Sequence, residues 1–323
     1  MSVKKKRMHA RIGRIIASMM GIVLIMVIVD SLRRDFFKGN TNNCITVEGQ
    51  FKTRTGRQPT PSSTISFDEA NQPTTESEGV KFAGYTESTI SSDKISQGNL
   101  LLISDEHPAP ENSHNMVNLS EYKNEYYYVA SDEIRINEAA AEALNFLMAD
   151  YHAATGLNDF VVYGTTNTYS APDSFCYGYF PERLSGNTVD FALLGANDSY
   201  IAFDGLDEEG WVVKNCTKYG YIVRYPEGKQ EKTGEKYRPW HLRYVGKLHA
   251  AIMNDKNMCL EEYIEFLKGF NIDSPFIYNF ENEEYELYSV KSEGEVTNAK
   301  LPIAGGYEIS GDNIDTYIIS CKK

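Results

Sequence analysis

The stretch "YRPWHLRYVGKLHA", residues 237–250, sets Arg238 three positions before His241, with Trp240 beside the histidine. An imidazole is a common metal ligand and the side chain that changes charge nearest neutral pH. A guanidinium does neither, since it stays charged and presents a planar fork of donors suited to a carboxylate. By residue type alone, a lone histidine next to Pro239 and Trp240 reads as packed and hydrogen-bonded. Upstream, "RLSGNTVDF" places Arg183 seven residues before Asp190, and an aspartate inside "TVDFAL" reads as a solvent-facing strand carboxylate. One histidine, one aspartate and two arginines therefore allow two chemistries, metal coordination and recognition of a carboxylate.

These residues need rigid elements to position them. In "INEAAAEALNFLMADYHAATG", Ile136, Ala140, Ala143, Leu144, Leu147, Met148 and Tyr151 recur at three- and four-residue intervals, with Asn137 to cap the start and Gly156 to end it. That pattern predicts an amphipathic helix on a core. "GNLLLIS", "DFVVYG", "NTVDFALL" and "YIVRY" read as strands, "EEGWVVKNCTKYG" as a helix closing at Gly220, and "CLEEYIEFLKGF" as a last helix. In "NTVDFALL", alternation puts Val189 and Phe191 on one face and Asp190 with Ala192 on the other. The tail alternates short strands with turns such as "SGDN". Helices and short strands without a regular βαβ rhythm or a glycine-rich phosphate loop predict an α+β fold, a small antiparallel sheet with flanking helices.

The chain has 323 residues, enough for a full core, and its first forty read as a separate object. Six basic residues from Lys4 to Arg14 precede fifteen uncharged ones, Ile15 to Val29. As a helix those fifteen rise roughly 22 Å against about 30 Å of hydrocarbon, so a short anchor competes with a cleaved signal peptide. No small-residue cleavage site follows in "IVDSLRRDFF", and the basic excess lies on the N-terminal side. Residues 1–38 are expected to be a signal anchor in a bacterial cell membrane, single-pass, with the C-terminal domain extracellular. Residues 39–94, rich in Thr, Ser, Asn, Gln, Pro and Gly, are expected to form a flexible linker, and 95–323 the folded domain. Residues 1–38 carry net +7 against −13 for the whole chain, which leaves −20 on the rest. So acidic a body repels phosphate backbones, and nucleic acid is not an expected partner. Five cysteines (Cys44, Cys176, Cys216, Cys259, Cys321) lack C-x-x-C spacing, which excludes a zinc ribbon and favours buried structural thiols.

Three stretches carry a family resemblance: "RLSGNTVDF"; "GWVVKNCTKYGYIVRYPEGKQEKTGEKYRPWHLRYVGKLHA" at 210–250; and "SQGNLLLISDEHP" with "VNLSEYKNEYYYVAS". From about residue 95 to the end, the chain resembles the vancomycin-resistance-type D-alanyl-D-alanine carboxypeptidases, zinc peptidases on the lysostaphin and hedgehog-like scaffold. The resemblance implies a zinc site whose ligands are the histidine and aspartate of H-x-x-G-x-x-x-D and the histidine of E-P-W-H, with the glutamate of E-P-W-H as base. It also implies an arginine, in S-G-Y-R, that holds the substrate's terminal carboxylate. Here Asp190 and His241 match two ligands, whereas Arg183 replaces the first histidine and Arg238 the base. Thr166, in "YGTT", falls at the substrate arginine. No histidine lies between His152 and His241 to rescue the triad; Glu182 and Cys176 are the nearby residues able to substitute.

The resulting expectation is a cell-surface domain of this family, degenerate at its catalytic site, that binds peptidoglycan stem peptides without cleaving them. It holds no cofactor, or zinc if the family activity persists. An active zinc carboxypeptidase with unorthodox ligands is the alternative, and a protein-interaction scaffold the second. Arg183 and Arg238 are expected to converge on Asp190 and His241 if they keep the family's inward direction, with Arg183, Arg238 and Thr166 forming the binding surface. Arg224, Arg243 and Lys229 read as surface or fold-stabilising charges.

Overall fold

Asn137 and Gly156 bound the longest helix among the described residues. In the computed structural model, which describes residues 82–110, 115–164, 181–303 and 306–323, the helix is Glu138–Thr155. The Asn137 side chain accepts from the Ala139 amide, and Gly156 takes the left-handed conformation, φ 75°, which needs no Cβ. The stripe of Ala140, Leu144, Leu147, Met148 and Tyr151 is buried against Phe160, Val162, Val189 and Phe191 in one core.

The sheet under this helix runs in the order Tyr128–Val129, Phe160–Gly164, Thr188–Leu194, His241–Tyr244, Tyr221–Val223, with Tyr200–Ala202 added to Thr188–Leu194. Its first pair is parallel, because the long helix carries the chain back across the sheet; every other pair is antiparallel. The fold is thus mixed helix and sheet, as the sequence predicts, with one parallel pair added. Period-two alternation sorts the two faces. Val189, Phe191, Leu242 and Tyr221 enter the helix-side core. Asp190, His241, Arg243 and Ile222 fall on the opposite face, where Asp190 pairs in register with His241, and Ile222 with Arg243.

That opposite face meets a second layer. Ile222 and Val245 join Leu100, Ala250, Ile252 and Met253 with residues of the helix Leu260–Lys268, whose Cys259–Glu262 capping box fixes its start. Beyond it lies a four-stranded antiparallel sheet, in the order Phe276–Phe280, Glu283–Lys291, Thr316–Lys322, Tyr307–Gly311. The tail is therefore a sheet of its own with strands of up to nine residues, longer than the short strands expected. A ribbon of Tyr85–Ser91 and Val296–Pro302 packs Ile90, Ala299 and Leu301 against Tyr288, Tyr317 and Ile319.

Two sequence expectations change. Leu100 to Ile103 is not a strand, although Leu100, Leu101 and Ile103 are buried. Its backbone is satisfied mostly by side chains: Ser310 accepts from the Leu100 amide, Arg243 donates to the Asn99 and Leu101 carbonyls, and Asn313 donates to that of Leu102, whose amide donates to the Asp312 carbonyl. Tyr85–Ser91 is a strand inside the stretch expected to be linker, so the folded part begins before Ile95. The expected anchor, 1–38, and most of that linker lie outside the described residues. No described helix is long and apolar enough to cross a membrane. Cys216, Cys259 and Cys321 are free, buried thiols; Cys44 and Cys176 lie outside the described residues.

A Cβ on Gly311 would lie 1.9 Å from the Ile95 carbonyl oxygen, where the segment before Leu100 docks on the last sheet. Backbone cannot yield as a side chain would, so Gly311→Ala should lower unfolding free energy by about 2 to 3 kcal/mol in urea titrations. Gly228→Ala, at φ 79° in open space, should lose only about 1 kcal/mol, from strain. His249 is buried, and its Nδ1 lies 2.8 Å from the Tyr263 hydroxyl. Burial pulls its pKa from 6.5 down to about 4. A depressed histidine contributes stability that is present above the unfolded value and is lost as pH falls from 6.5 toward 4. Urea titrations across that window should show a steeper loss for the natural chain than for His249→Phe.

Candidate functional site

Asp190 has no exposed surface, and Gly164 lies opposite it in the neighbouring strand at an irregularity in the pairing. A Cβ on Gly164 would come 2.9 Å from Asp190 Oδ2, so glycine is what lets that carboxylate turn inward. His241 is fully buried as well; its Nδ1 donates to Asp190 Oδ1 at 2.5 Å, and its Nε2 lies 3.7 Å from Glu182 Oε2. Tyr225 stacks on the imidazole, with centroids 5.3 Å apart and planes 11° from parallel.

Arg183 is delivered by the 3-10 turn Pro181–Ser185 and points inward. Its Nε donates to Asp190 Oδ2 at 2.6 Å, and its Nη2 also contacts that oxygen. Two cationic or donor groups therefore share one carboxylate, the guanidinium on Oδ2 and the imidazole on Oδ1. Glu182, on the same turn, is held by Arg224 Nε at 2.6 Å, with Arg243 Nη1 at 3.6 Å. Arg224 also forks onto Glu261, at 3.0 and 2.6 Å. Three guanidinium groups and three carboxylates thus interlock around His241.

At Glu182, His241, Arg224 and Arg243 burial acts first, and charged neighbours then outweigh or reinforce it. Burial alone would raise Glu182, but Arg224, the contact with His241 and Arg243 bring its carboxyl down to about 2. Burial alone would lower His241, yet Asp190 and then Glu182 reverse the shift, and its pKa is raised. Arg243 is lowered by burial, though Glu182 acts against it; Arg224, buried between Glu182 and Glu261, is raised.

Arg238 behaves differently from Arg183. Its amide donates to the Tyr225 carbonyl and its own carbonyl accepts from the His241 amide, which fixes the backbone beside the cluster. The guanidinium turns to Glu235 at 2.6 Å and lies over Trp240 and Tyr225, 5.3 and 5.9 Å from their centroids. The structure thus brings Arg183, Asp190 and His241 into contact and aims Arg238 at another carboxylate, so the expected convergence of both arginines does not occur. Asp190 is buried, against the solvent-facing residue its strand suggested. Of the two readings open for Arg224 and Arg243, surface or fold-stabilising charges, the second holds, since both are buried parts of the cluster. Sequence reading gave neither a role here, although the "YIVRY" alternation that puts Ile222 on this face puts Arg224 there too. Thr166 and Cys176 lie outside the described residues.

Zinc, the metal the resemblance implies, does not fit this donor set. A ligand histidine must be neutral and a ligand carboxylate must have a free lone pair. Here both imidazole nitrogens face carboxylates, and Arg183 occupies Asp190. Glu182, the substitute ligand, is engaged by Arg224. Among the described residues, no group of three or more His, Cys, Asp or Glu side chains is arranged to hold a metal ion.

Removing one member of such a buried pair leaves an uncompensated charge, which typically costs about 3 to 5 kcal/mol. Arg183→Met should lose stability on that scale in urea titrations. Arg183→Met with Asp190→Asn should recover most of the loss, since neither charge then remains.

The comparisons with known proteins agree with this architecture. The VanY family profile, described as D-alanyl-D-alanine carboxypeptidase, matches residues 184–247, a span containing Asp190, Arg238 and His241. A D-alanyl-D-alanine carboxypeptidase of Enterococcus faecium is 34% identical over 253 residues, 72% of this chain and 78% of that protein. One of Enterococcus faecalis is 41% identical over 141 residues, 43% of this chain and 47% of that protein. The structure of the vancomycin-resistance D,D-dipeptidase VanXYg with a D-Ala-D-Ala phosphinate analogue shares the fold at TM-score 0.62. Its identity is 23%, and the match covers 74% of this chain and 99% of that one. With a third of its residues identical to the Enterococcus faecium enzyme over most of both chains, the protein belongs to the D-alanyl-D-alanine carboxypeptidase family.

Proposed function

We propose that this chain is a non-catalytic, cell-surface member of its family that binds peptidoglycan stem peptides without cleaving them. The observation that supports the reading is the Arg183 guanidinium seated on Asp190. Catalytic zinc sites keep three protein ligands and one open position for water. At the matching positions this chain offers an arginine, an aspartate already engaged by that arginine, and a histidine flanked by two carboxylates.

The magnitudes favour binding over hydrolysis. If a four-ligand zinc site is worth about 10 to 16 kcal/mol, each ligand carries about 3, and losing one weakens the metal by roughly two orders of magnitude. An arginine in place of the base removes a further factor of about 10² to 10⁴ in rate. What remains is a partly exposed arginine, Arg238, beside the buried cluster, suited to the free carboxylate on which D-Ala-D-Ala peptides end. The acidic body disfavours nucleic acid, and the basic, apolar N-terminal segment would hold the domain outside the membrane.

The purified protein should contain no stoichiometric zinc by elemental analysis and release no D-alanine from a stem pentapeptide; tight equimolar zinc together with release would establish the enzyme reading. In the double variant Arg183→His with Arg238→Glu, zinc should bind in titration calorimetry, while turnover stays poor because Thr166 replaces the substrate arginine. A folded double variant that takes up no metal would refute the positional correspondence. The natural chain should bind D-Ala-D-Ala-terminated peptide weakly, at high micromolar to millimolar concentration, and more weakly as salt rises. Unchanged nuclear magnetic resonance spectra at millimolar peptide would leave the interaction-scaffold reading.

A further inference from the structure

Among the described charged pairs of this site, Arg238 and Glu235 keep the most contact with solvent: their side chains are 21% and 37% exposed, against 6% and 0% for Arg183 and Asp190. The arginine's backbone is pinned between Tyr225 and His241, and its guanidinium lies over Trp240 and Tyr225. Tyr225 in turn lies flat on His241, so the guanidinium stands one ring away from the buried cluster. Glu235 is placed otherwise. It follows the left-handed Gly234 that ends the single turn Gln230–Thr233, and its carboxylate is the more exposed partner. Both backbones are held, that of Glu235 through the Thr233 hydroxyl, and the difference lies in the side chains: the guanidinium rests on two rings, the carboxylate faces water.

We propose that Glu235 is an internal stand-in for a peptide's terminal carboxylate, occupying Arg238 until a ligand displaces it. The inference rests on the peptide-binding reading above and assigns its carboxylate contact to Arg238 alone, since Arg183 is engaged by Asp190. Three observations support the exchange. An ion pair this exposed contributes little to stability and changes partners readily. The aromatic faces of Trp240 and Tyr225 hold the guanidinium whether or not Glu235 is present. The exchange also conserves charge, since one carboxylate leaves the guanidinium as another arrives. Glu235 then sets the affinity, excluding weak anions and yielding to a carboxylate that brings further contacts with it.

The experiment is a peptide titration of the full-length protein, followed by nuclear magnetic resonance. A D-Ala-D-Ala-terminated stem pentapeptide is compared with the same peptide carrying a C-terminal amide. Glu235→Gln removes the competing charge and should bind the free-acid peptide about two- to fivefold more tightly than the natural chain, with Glu235→Ala acting the same way. Arg238→Gln should bind it several-fold more weakly, and the amide peptide should not discriminate among the variants. Circular dichroism checks that each variant folds. If the natural chain binds the acid but both Glu235 variants bind it equally or less well, the stand-in role is overturned and the peptide-binding reading survives. If neither the natural chain nor any folded variant binds, that reading fails and the stand-in role fails with it.

Discussion

A carboxylate with no exposed surface must find its counter-charge inside the protein, and Asp190 finds it in Arg183 and His241. In a zinc peptidase the metal would supply that positive charge and leave a position open for water. Here a guanidinium supplies it permanently, at any ordinary pH, on a side chain that the fold itself provides. The contact balances the charge of the buried carboxylate from within the chain. Arg183 therefore suits the site better than an apolar residue would, because an apolar neighbour would leave Asp190 buried with only the His241 imidazole to offset its charge.

From that contact the cluster reaches outward and joins elements distant in sequence. Glu182 rides on the same turn as Arg183 and is held by Arg224, whose guanidinium also grips Glu261 on the helix Leu260–Lys268. Arg243, across from Thr188 in the register, donates to the Asn99 and Leu101 carbonyls and so ties the irregular segment 99–101 to the sheet. The helix-side core and the second layer are thus linked by charge as well as by apolar packing. Changes at the cluster should act on the stability of the whole domain, which is why stability is as direct a readout of Arg183 as any ligand.

The division of labour between the two altered arginines follows from their surroundings. Arg183 is buried beside a buried carboxylate, where an uncompensated charge is most costly, and its role is architectural. Arg238 stands at the rim among Tyr225, Trp240 and Glu235, where a charge remains hydrated and exchangeable.

Much of this was legible from local pattern. The three- and four-residue rhythm from Ile136 to Tyr151, with Asn137 and Gly156 at its ends, specifies a helix, and the alternation of "NTVDFALL" assigns Asp190 to the face opposite Val189 and Phe191. Quoted motifs carried the family and the positions of Arg183, Asp190, Arg238 and His241. The tertiary structure decided what those side chains touch. Arg224 and Arg243 read as ordinary charges because their partners, Glu182 and Glu261, lie 42 and 37 residues from Arg224 and 61 residues, for Glu182, from Arg243. Leu100 to Ile103 read as a strand because its apolar content fits one; only the folded chain brings Ser310, Arg243 and Asn313 to its backbone. Periodicity is a property of a few neighbouring residues and survives in the sequence. The direction of a long arginine depends on which carboxylate the rest of the chain places within its reach, and only the folded chain determines that.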